Sequence, residues 1–545
     1  MKAILCALAL ALAAGPAAAA AGGGAPAGPA PAARLFVTSD RCLACHNGLT
    51  GPEGQDLSIG SEWSASMMAH SAKDPYWQAS VRRETLDHPQ AAAAIQDECS
   101  ACHMPMTRYL AKVHGRRGEV FANLPARPAA PAPARRLLLA WDSVSCSMCH
   151  QIRPDKLGTE ASFTAGFEVD RTTPLGRRPA FGPFEVDAGR RRVMRSAARL
   201  EPTQGKHQQQ SALCGSCHTL YTHARGPGGE VVGKLPEQVP YLEWKHSDYY
   251  QSQSCQSCHM PAQAQPMPIT SVLGQDRPRF SRHSFRGGNF FMLGLLERHS
   301  QKLGVTARPA DLAASRQRTQ SHLQSLAAEL AVTRAEVAGA SLRAEVRVTN
   351  LAGHKLPTAY PSRRAWLRLT VTDAAGREVF SSGGLRPDGS IAGNDNDADP
   401  RRYEPHHREI TSPEEVQIYE AIMAGPDGEV TTGLIRAVRF VKDTRVLPAG
   451  FDKASAHQDI AVQGRAAEDA DFTGGGDTVR YRAAVDPDRG PFTVKAELWY
   501  QPIAFRWAQN LRRQSAPEIE RFVGYYDAAG RGSALLLAQD SRRAP

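Results

Sequence analysis

Aromatic residues are scarce in this chain: Phe, Trp and Tyr together make up 7% of 545 residues. With a hydrophobic fraction of 42%, that is modest stock for a large apolar core, although the length suffices for two or three domains. No glycine-rich nucleotide fingerprint and no serine-hydrolase elbow occurs, so neither chemistry has a place to reside. Beyond the N-terminal stretch no apolar run is long enough to span a bilayer. The mature chain is therefore expected to lack a transmembrane segment, with peripheral membrane association left open. Cysteine is absent after Cys258, so the C-terminal half has no thiol chemistry.

What is present is concentrated. Ten of the 11 cysteines fall into five repeats: Cys42-Leu43-Ala44-Cys45-His46, Cys99-Ser100-Ala101-Cys102-His103, Cys146-Ser147-Met148-Cys149-His150, Cys214-Gly215-Ser216-Cys217-His218 and Cys255-Gln256-Ser257-Cys258-His259. A lone C-x-x-C reads more readily as a zinc half-site or a redox dithiol. Here every pair is followed by histidine. Histidine is 18 of 545 residues, so chance would produce this about once in ten million, and the c-type haem attachment motif is the better reading. The two thiols form thioethers with the haem vinyl groups, and His46, His103, His150, His218 and His259 become proximal iron ligands. Five covalently attached haem c groups are expected. Their density, one per 44 residues or so between 42 and 259, suits electron movement and supplies apolar interior that the sequence itself lacks. Loss of Lys2 with an export signal, and about one net negative charge per ferric haem, bring the formal +10 to roughly +4. The basic balance is therefore not read as a nucleic-acid signal.

The order along the chain follows. Residues 1–20 form a secretory signal, with Lys2 before an apolar run and small residues at Ala18 to Ala20. Cys6 leaves with it. Residues 21–33 are an Ala/Pro/Gly linker. Residues 34–300 form a mainly helical or irregular multihaem domain. It has a Pro/Ala-rich loop at 125–133 and an extended basic loop at 170–195, suited to haem propionates. Residues 301–327 form a helical linker, with a helix over 309–326. From 328 to 545 period-two alternation predicts an all-β immunoglobulin-like sandwich, with clean strands at 342–348, 367–371 and 492–498. Weaker strands are expected at 416–418, 434–441 and 479–483. The segment 382–412 is irregular. Export implies a periplasmic location, where haem is ligated to c-type apoproteins.

What lies opposite each proximal histidine decides function. A second His or Met leaves an iron that only exchanges electrons; an open position leaves one that binds substrate. The distal candidates are His283, followed by two glycines; His354, in a tight loop after a strand; His246, after Trp244; His207; His88; and Met68, in competition with His70. His114, His223 and His299 are reserves, whereas His322, His406, His407 and His457 read as structural. Asp395, Asp397 and Asp399 with Asn394 and Asn396 offer a weak calcium reading against a solvated acidic loop.

Two stretches carry a family resemblance. Residues 241–261, with Trp244 and His246 before Cys255 to Pro261, and residues 353–373, beginning Gly353-His354-Lys355-Leu356-Pro357, resemble the exported multihaem cytochromes c of the cytochrome c-554/c-prime type. That group includes nitrifier electron carriers and relatives of hydroxylamine oxidoreductase. The resemblance spans roughly residues 40–380 and implies distal ligation by His246, His283 and His354. Pentahaem nitrite reductase carries lysine in its catalytic motif. No C-x-x-C-K occurs here, which argues against ammonia-forming nitrite reduction, and the hydroxylamine oxidoreductase active-site pattern has no clear match. The expected role is an exported pentahaem cytochrome c transferring electrons between respiratory redox partners. The alternative is an oxidoreductase with one five-coordinate haem acting on a small nitrogen or sulfur compound.

Overall fold

The computed structural model describes residues 35–124 and 134–545. The expected signal with Cys6, the linker to residue 33 and the Pro/Ala-rich loop at 125–133 lie outside the described residues. Helix α1 (Pro75–Asp87) starts where Asp74 accepts hydrogen bonds from Tyr76 N and Trp77 N, with Pro75 in the first turn. It ends at His88, before Pro89. Helix α2 (Ala92–His103) delivers the second motif in its last turns, and α3 (Pro105–Val113) follows.

The basic stretch expected as an extended loop instead contains α4 (Ala188–Ala198). Asp187 caps it by accepting from Gly189 N and Arg190 N. Arg191 and Arg195 pair with Glu201 beyond its C-terminus. Caps and ion pairs support this helix rather than an apolar stripe, so hydrophobic periodicity could not reveal it. After the fourth motif comes a hairpin of β1 (Leu220–Arg225) and β2 (Val231–Gln238). Helices α5 (Phe290–Arg298) and α6 (Pro309–Leu326) pack together, with Phe290 to Leu296 buried.

Eight strands then form two facing sheets: β3 (Ala328–Ala338), β4 (Ser341–Asn350), β5 (Arg364–Thr372), β6 (Glu378–Ser382), β7 (Glu409–Ile410), β8 (Ile418–Tyr419), β9 (Gly476–Ala484) and β10 (Phe492–Gln501), closed by a last strand beyond two helices. These are α7 (Phe505–Leu511), α8 (Pro517–Ala529) and β11 (Leu535–Ala544). One sheet has the order β7-β9-β4-β3, the other β6-β5-β10-β11 with β8 on β5. Only the β7-β9 pairing within these sheets is parallel. Val346 lies opposite Val479 in one sheet and Val371 opposite Val494 in the other. All four belong to one apolar cluster that also takes in α5 and α8. A smaller sheet joins Ala421–Ala424, Val430–Thr431 and Arg439–Asp443.

Three expectations change. The C-terminal region is not all-β: α7 and α8 return to the N-terminal region, where α8 packs on α1 and Glu518 pairs with Arg82 at 3.0 Å. The strand expected over 434–441 begins only at Arg439. The oxygen-rich run is spent on arginine, with Asp395 paired to Arg402, Asp397 to Arg364 and Asp399 to Arg401. Those carboxylates therefore do not converge on a calcium site.

Candidate haem-binding cavity

The first four motifs line one cavity of about 570 Å³. Cys42, His46, Cys102, His103, Cys146, Cys149, His150, Cys214, Cys217 and His218 all reach it. Tyr360, Ser362, Arg363, Pro502 and Ile503 of the C-terminal region close one side. All ten described cysteines are free. Sulfurs of different motifs are nevertheless neighbours: Cys42 lies beside Cys146, Cys102 beside Cys217 and Cys214 beside Cys255. Cys149 is close to Cys214 and Cys217. The fourth motif thus touches the second, third and fifth.

The imidazoles are held in the orientation a metal ligand needs. His46 Nδ1 lies 2.6 Å from Ile269 O, His103 Nδ1 2.9 Å from Ser71 O and His150 Nδ1 2.6 Å from Phe181 O. His259 Nδ1 pairs with Arg286 O. An N–H donated from Nδ1 leaves the Nε2 lone pair free and makes it a better ligand. His103 is also stacked flat on Trp77, ring centres 4.4 Å apart. Burial depresses the basicity of all five motif histidines, His103 and His218 to about 4, which keeps the neutral form that binds metal. No hydrogen-bond partner of the His218 ring is found among the described residues.

Two candidate distal residues face motif histidines. The His150 and His283 ring centres are 6.4 Å apart with planes 19° from parallel. For His259 and His354 the values are 6.2 Å and 15°. Two imidazoles sharing one ion through bonds of ~2 Å place their ring centres ~6 Å apart, too far for direct stacking. His283 Nδ1 is engaged by Ser281 O at 3.1 Å and His354 Nδ1 by Lys355 O at 3.0 Å, so Nε2 is again free on both. Burial depresses His283 to about 3.

The His354 loop is fastened to the N-terminal region. Asn350 Nδ2 donates to His354 O, Tyr249 OH donates to Leu351 O, and Ser247 Oγ donates to Gly353 O. A Cβ on Gly353 would come within 3.2 Å of Tyr249 Cβ, so glycine permits this approach. Buried Glu243 accepts from Lys355 N and lies 2.8 Å from Arg445, while Lys355 and Arg445 share Asp443. Of the two glycines after His283, Gly288 lies against Tyr500 of β10.

The other candidates are placed elsewhere. His207 Nε2 bonds Ile152 O and His246 Nε2 bonds Asp452 O, each at 2.9 Å. His88 is the half-buried cap of α1 and does not line the cavity. Met68 does line it. His70, two residues on, is buried with neither ring nitrogen hydrogen-bonded among the described residues, and burial beside Lys73 takes it to about 3. Of the reserves, His223 pairs with Glu98, His299 stacks on Tyr525 and His114 caps α3. His322, expected to be structural, sits with its ring centre 6.3 Å from that of His259. Its signal was present: it follows the buried positions Ser315 and Thr319 on one face of α6.

The donors therefore fit haem c: paired thiols, oriented neutral imidazoles and a shared apolar-walled cavity. No helix among the described residues is long and apolar enough to cross a membrane. No family model and no curated protein matches the chain. Its structure is similar to the crystal structure of a penta-haem cytochrome c552 from Thermochromatium tepidum, covering 94% of this chain and 100% of that one, with a TM-score of 0.50 and 16% identity. The likeness is one of architecture: the helices and β-sheets of this chain form a multihaem-cytochrome-like fold.

Proposed function

We propose that this protein is an exported pentahaem c-type cytochrome that passes electrons between respiratory redox partners. The observation that carries the reading is the convergence of the first four motifs on one cavity, with His283 and His354 opposite His150 and His259. Bound haem supplies reversible one-electron iron chemistry. The chain attaches it at Cys42, Cys45, Cys99, Cys102, Cys146, Cys149, Cys214, Cys217, Cys255 and Cys258. It orients imidazoles through backbone carbonyls and keeps water from the cavity with residues of both regions. His283 with His150, and His354 with His259, would hold the irons of the third and fifth haems. The partner docks weakly and transiently on a surface of mixed charge. The immunoglobulin-like reading of the β region is supported by its strand order, in which the first, second and fifth principal strands share one sheet and the third, fourth and last two share the other.

A pyridine haemochrome assay with intact-protein mass should give five covalent haems per chain, and the reading fails if fewer attach or if zinc replaces them. In His354→Ala one low-spin ferric EPR signal should give way to a high-spin one.

His218 favours a second reading. Its ring is open to the cavity beside Arg363 and, as for His46 and His103, no imidazole among the described residues stands opposite it at the spacing of the two pairs; unlike theirs, its ring has no backbone carbonyl at Nδ1 among those residues. That is the site an oxidoreductase of the alternative class would use. A high-spin signal in the unmodified protein, shifted by nitrite or sulfite, would favour it over a pure carrier.

A further inference from the structure

Near the fifth motif three nitrogen-bearing side chains share an unmet need. The Nδ1 atom of His322 and the Nε atoms of Arg286 and Arg318 are buried and have no hydrogen-bond partner among the described residues. Arg318 and His322 are four residues apart on α6 and so project from the same face. Arg286 is tied to the motif directly: its N–H donates to His259 O, and its carbonyl engages His259 Nδ1. Arg286 and His322 act on each other electrostatically, as do Arg286 and Arg318. The three groups thus converge beside His259 from two segments of the chain.

Their charge is not balanced locally. Arg282 lies in the same cluster, and burial and like-charge crowding lower the basicity of Arg286 and Arg318. Among the described residues Glu62 pairs with Arg282 and acts on both Arg286 and Arg318, while of these two Asp311 acts on Arg318 alone. Glu62 Oε1 is taken by Arg282, while its Oε2 is itself without a partner. Asp311, on α6, is engaged by Arg308. One glutamate therefore faces three guanidinium groups. Buried donors without acceptors cost free energy, and a surplus of partly buried cations calls for an anion. Guanidinium groups match planar carboxylates especially well.

We propose that His322, Arg318 and Arg286 form a carboxylate-binding cradle that holds a propionate of the haem attached at Cys255 and Cys258. The inference rests on the reading of the motif as a haem site. His322 is then a positioning residue: its ring is tilted 54° from that of His259, whereas His354, nearly parallel to His259 at the same spacing, is the imidazole that would share an iron with it. Cationic donors around a propionate offset its negative charge and so favour the reduced iron.

The test is redox titration of the holoprotein at fixed pH. In Arg318→Met one of five midpoint potentials should fall and the other four should stay. Arg318→Lys should recover most of the loss, and His322→Asn should lower the same potential with all irons remaining low-spin. Haem count and melting temperature control for folding, and a count below five would defeat the haem reading rather than this inference. Unchanged potentials in both Arg318→Met and His322→Asn overturn the cradle. A high-spin iron in His322→Asn overturns it too, because His322 would then be an axial ligand. A potential that moves only when sulfate or phosphate is added to the unmodified protein would assign the donors to a free oxyanion instead.

Discussion

The two halves of the molecule reach stability by different routes. The C-terminal region gathers most of its apolar side chains into one large cluster, β4 and β9 against β5 and β10, which also takes in α5, Tyr76 and Leu235, beside a smaller cluster at Trp366 and Ile418. The N-terminal region divides its own among several small clusters around the motif cavity, such as Leu35, Phe36, Met106 and Leu139, or Leu49, Leu57, Met267 and Phe280. Four motif histidines there are aimed by backbone carbonyls rather than by apolar packing. The contrast teaches that the two sheets are held mainly by one large apolar core, while the N-terminal region has only small clusters around a cavity that a bound group would fill.

The strongest challenge to that contrast is to withhold haem attachment. Chain made without haem ligation should lose protease resistance throughout 35–300, whereas a fragment from about 328 onward should survive limited digestion with its strand circular dichroism. A protected N-terminal region would break the comparison. Next comes Arg364→Met, which strands Asp397 at a buried pair whose members are 2.8 Å apart. Denaturant unfolding should show a loss of ~3–5 kcal/mol in the C-terminal region, with haem absorption unchanged below the transition.

Glu243→Gln probes the join. It weakens the pairing with Arg445 and the support of Lys355 N, at a cost of ~1.5–3 kcal/mol. Because it loosens the His354 loop, the spectrum of one haem should change, and a spectrum identical to that of the unmodified protein would detach the loop from the site. The smallest effect is expected from Arg82→Ala. Its pair with Glu518 joins α1 to α8 at a partly buried position near the surface and should be worth ~1 kcal/mol by thermal melts.

Regular elements with apolar periodicity were legible in the sequence. Helix α6 runs over the expected residues, and the alternation of Leu342, Ala344, Val346 and Val348 puts all four in the core of β4. Elements held by other forces were not legible. Helix α4 stands on an aspartate cap and arginine pairs, and α8 is buried by a partner helix more than 400 residues away in the chain. The same division governs the candidate site. Neighbouring glycines and a tight loop made His283 and His354 stand out, yet His207 and His246 have comparable surroundings in the sequence. What separates the pairs is which ring nitrogen meets a carbonyl, and Ile152 and Asp452 are remote from those histidines in the chain.

The motifs themselves needed no fold to be read. Two thiols and an imidazole within five consecutive residues bring their own geometry, since one helical turn places all three on the same haem. The residue on the opposite side of an iron comes from a distant segment. His354 reaches His259 only because Glu243, Lys355 and Arg445 lock one region onto the other, and His322 arrives there on a helix. Sequence alone therefore determined where the paired thiols and their histidines stand, because that pattern is local. Tertiary structure decided which imidazoles face one another and which arginines lack a counter-charge, because both depend on contacts that chain order does not record.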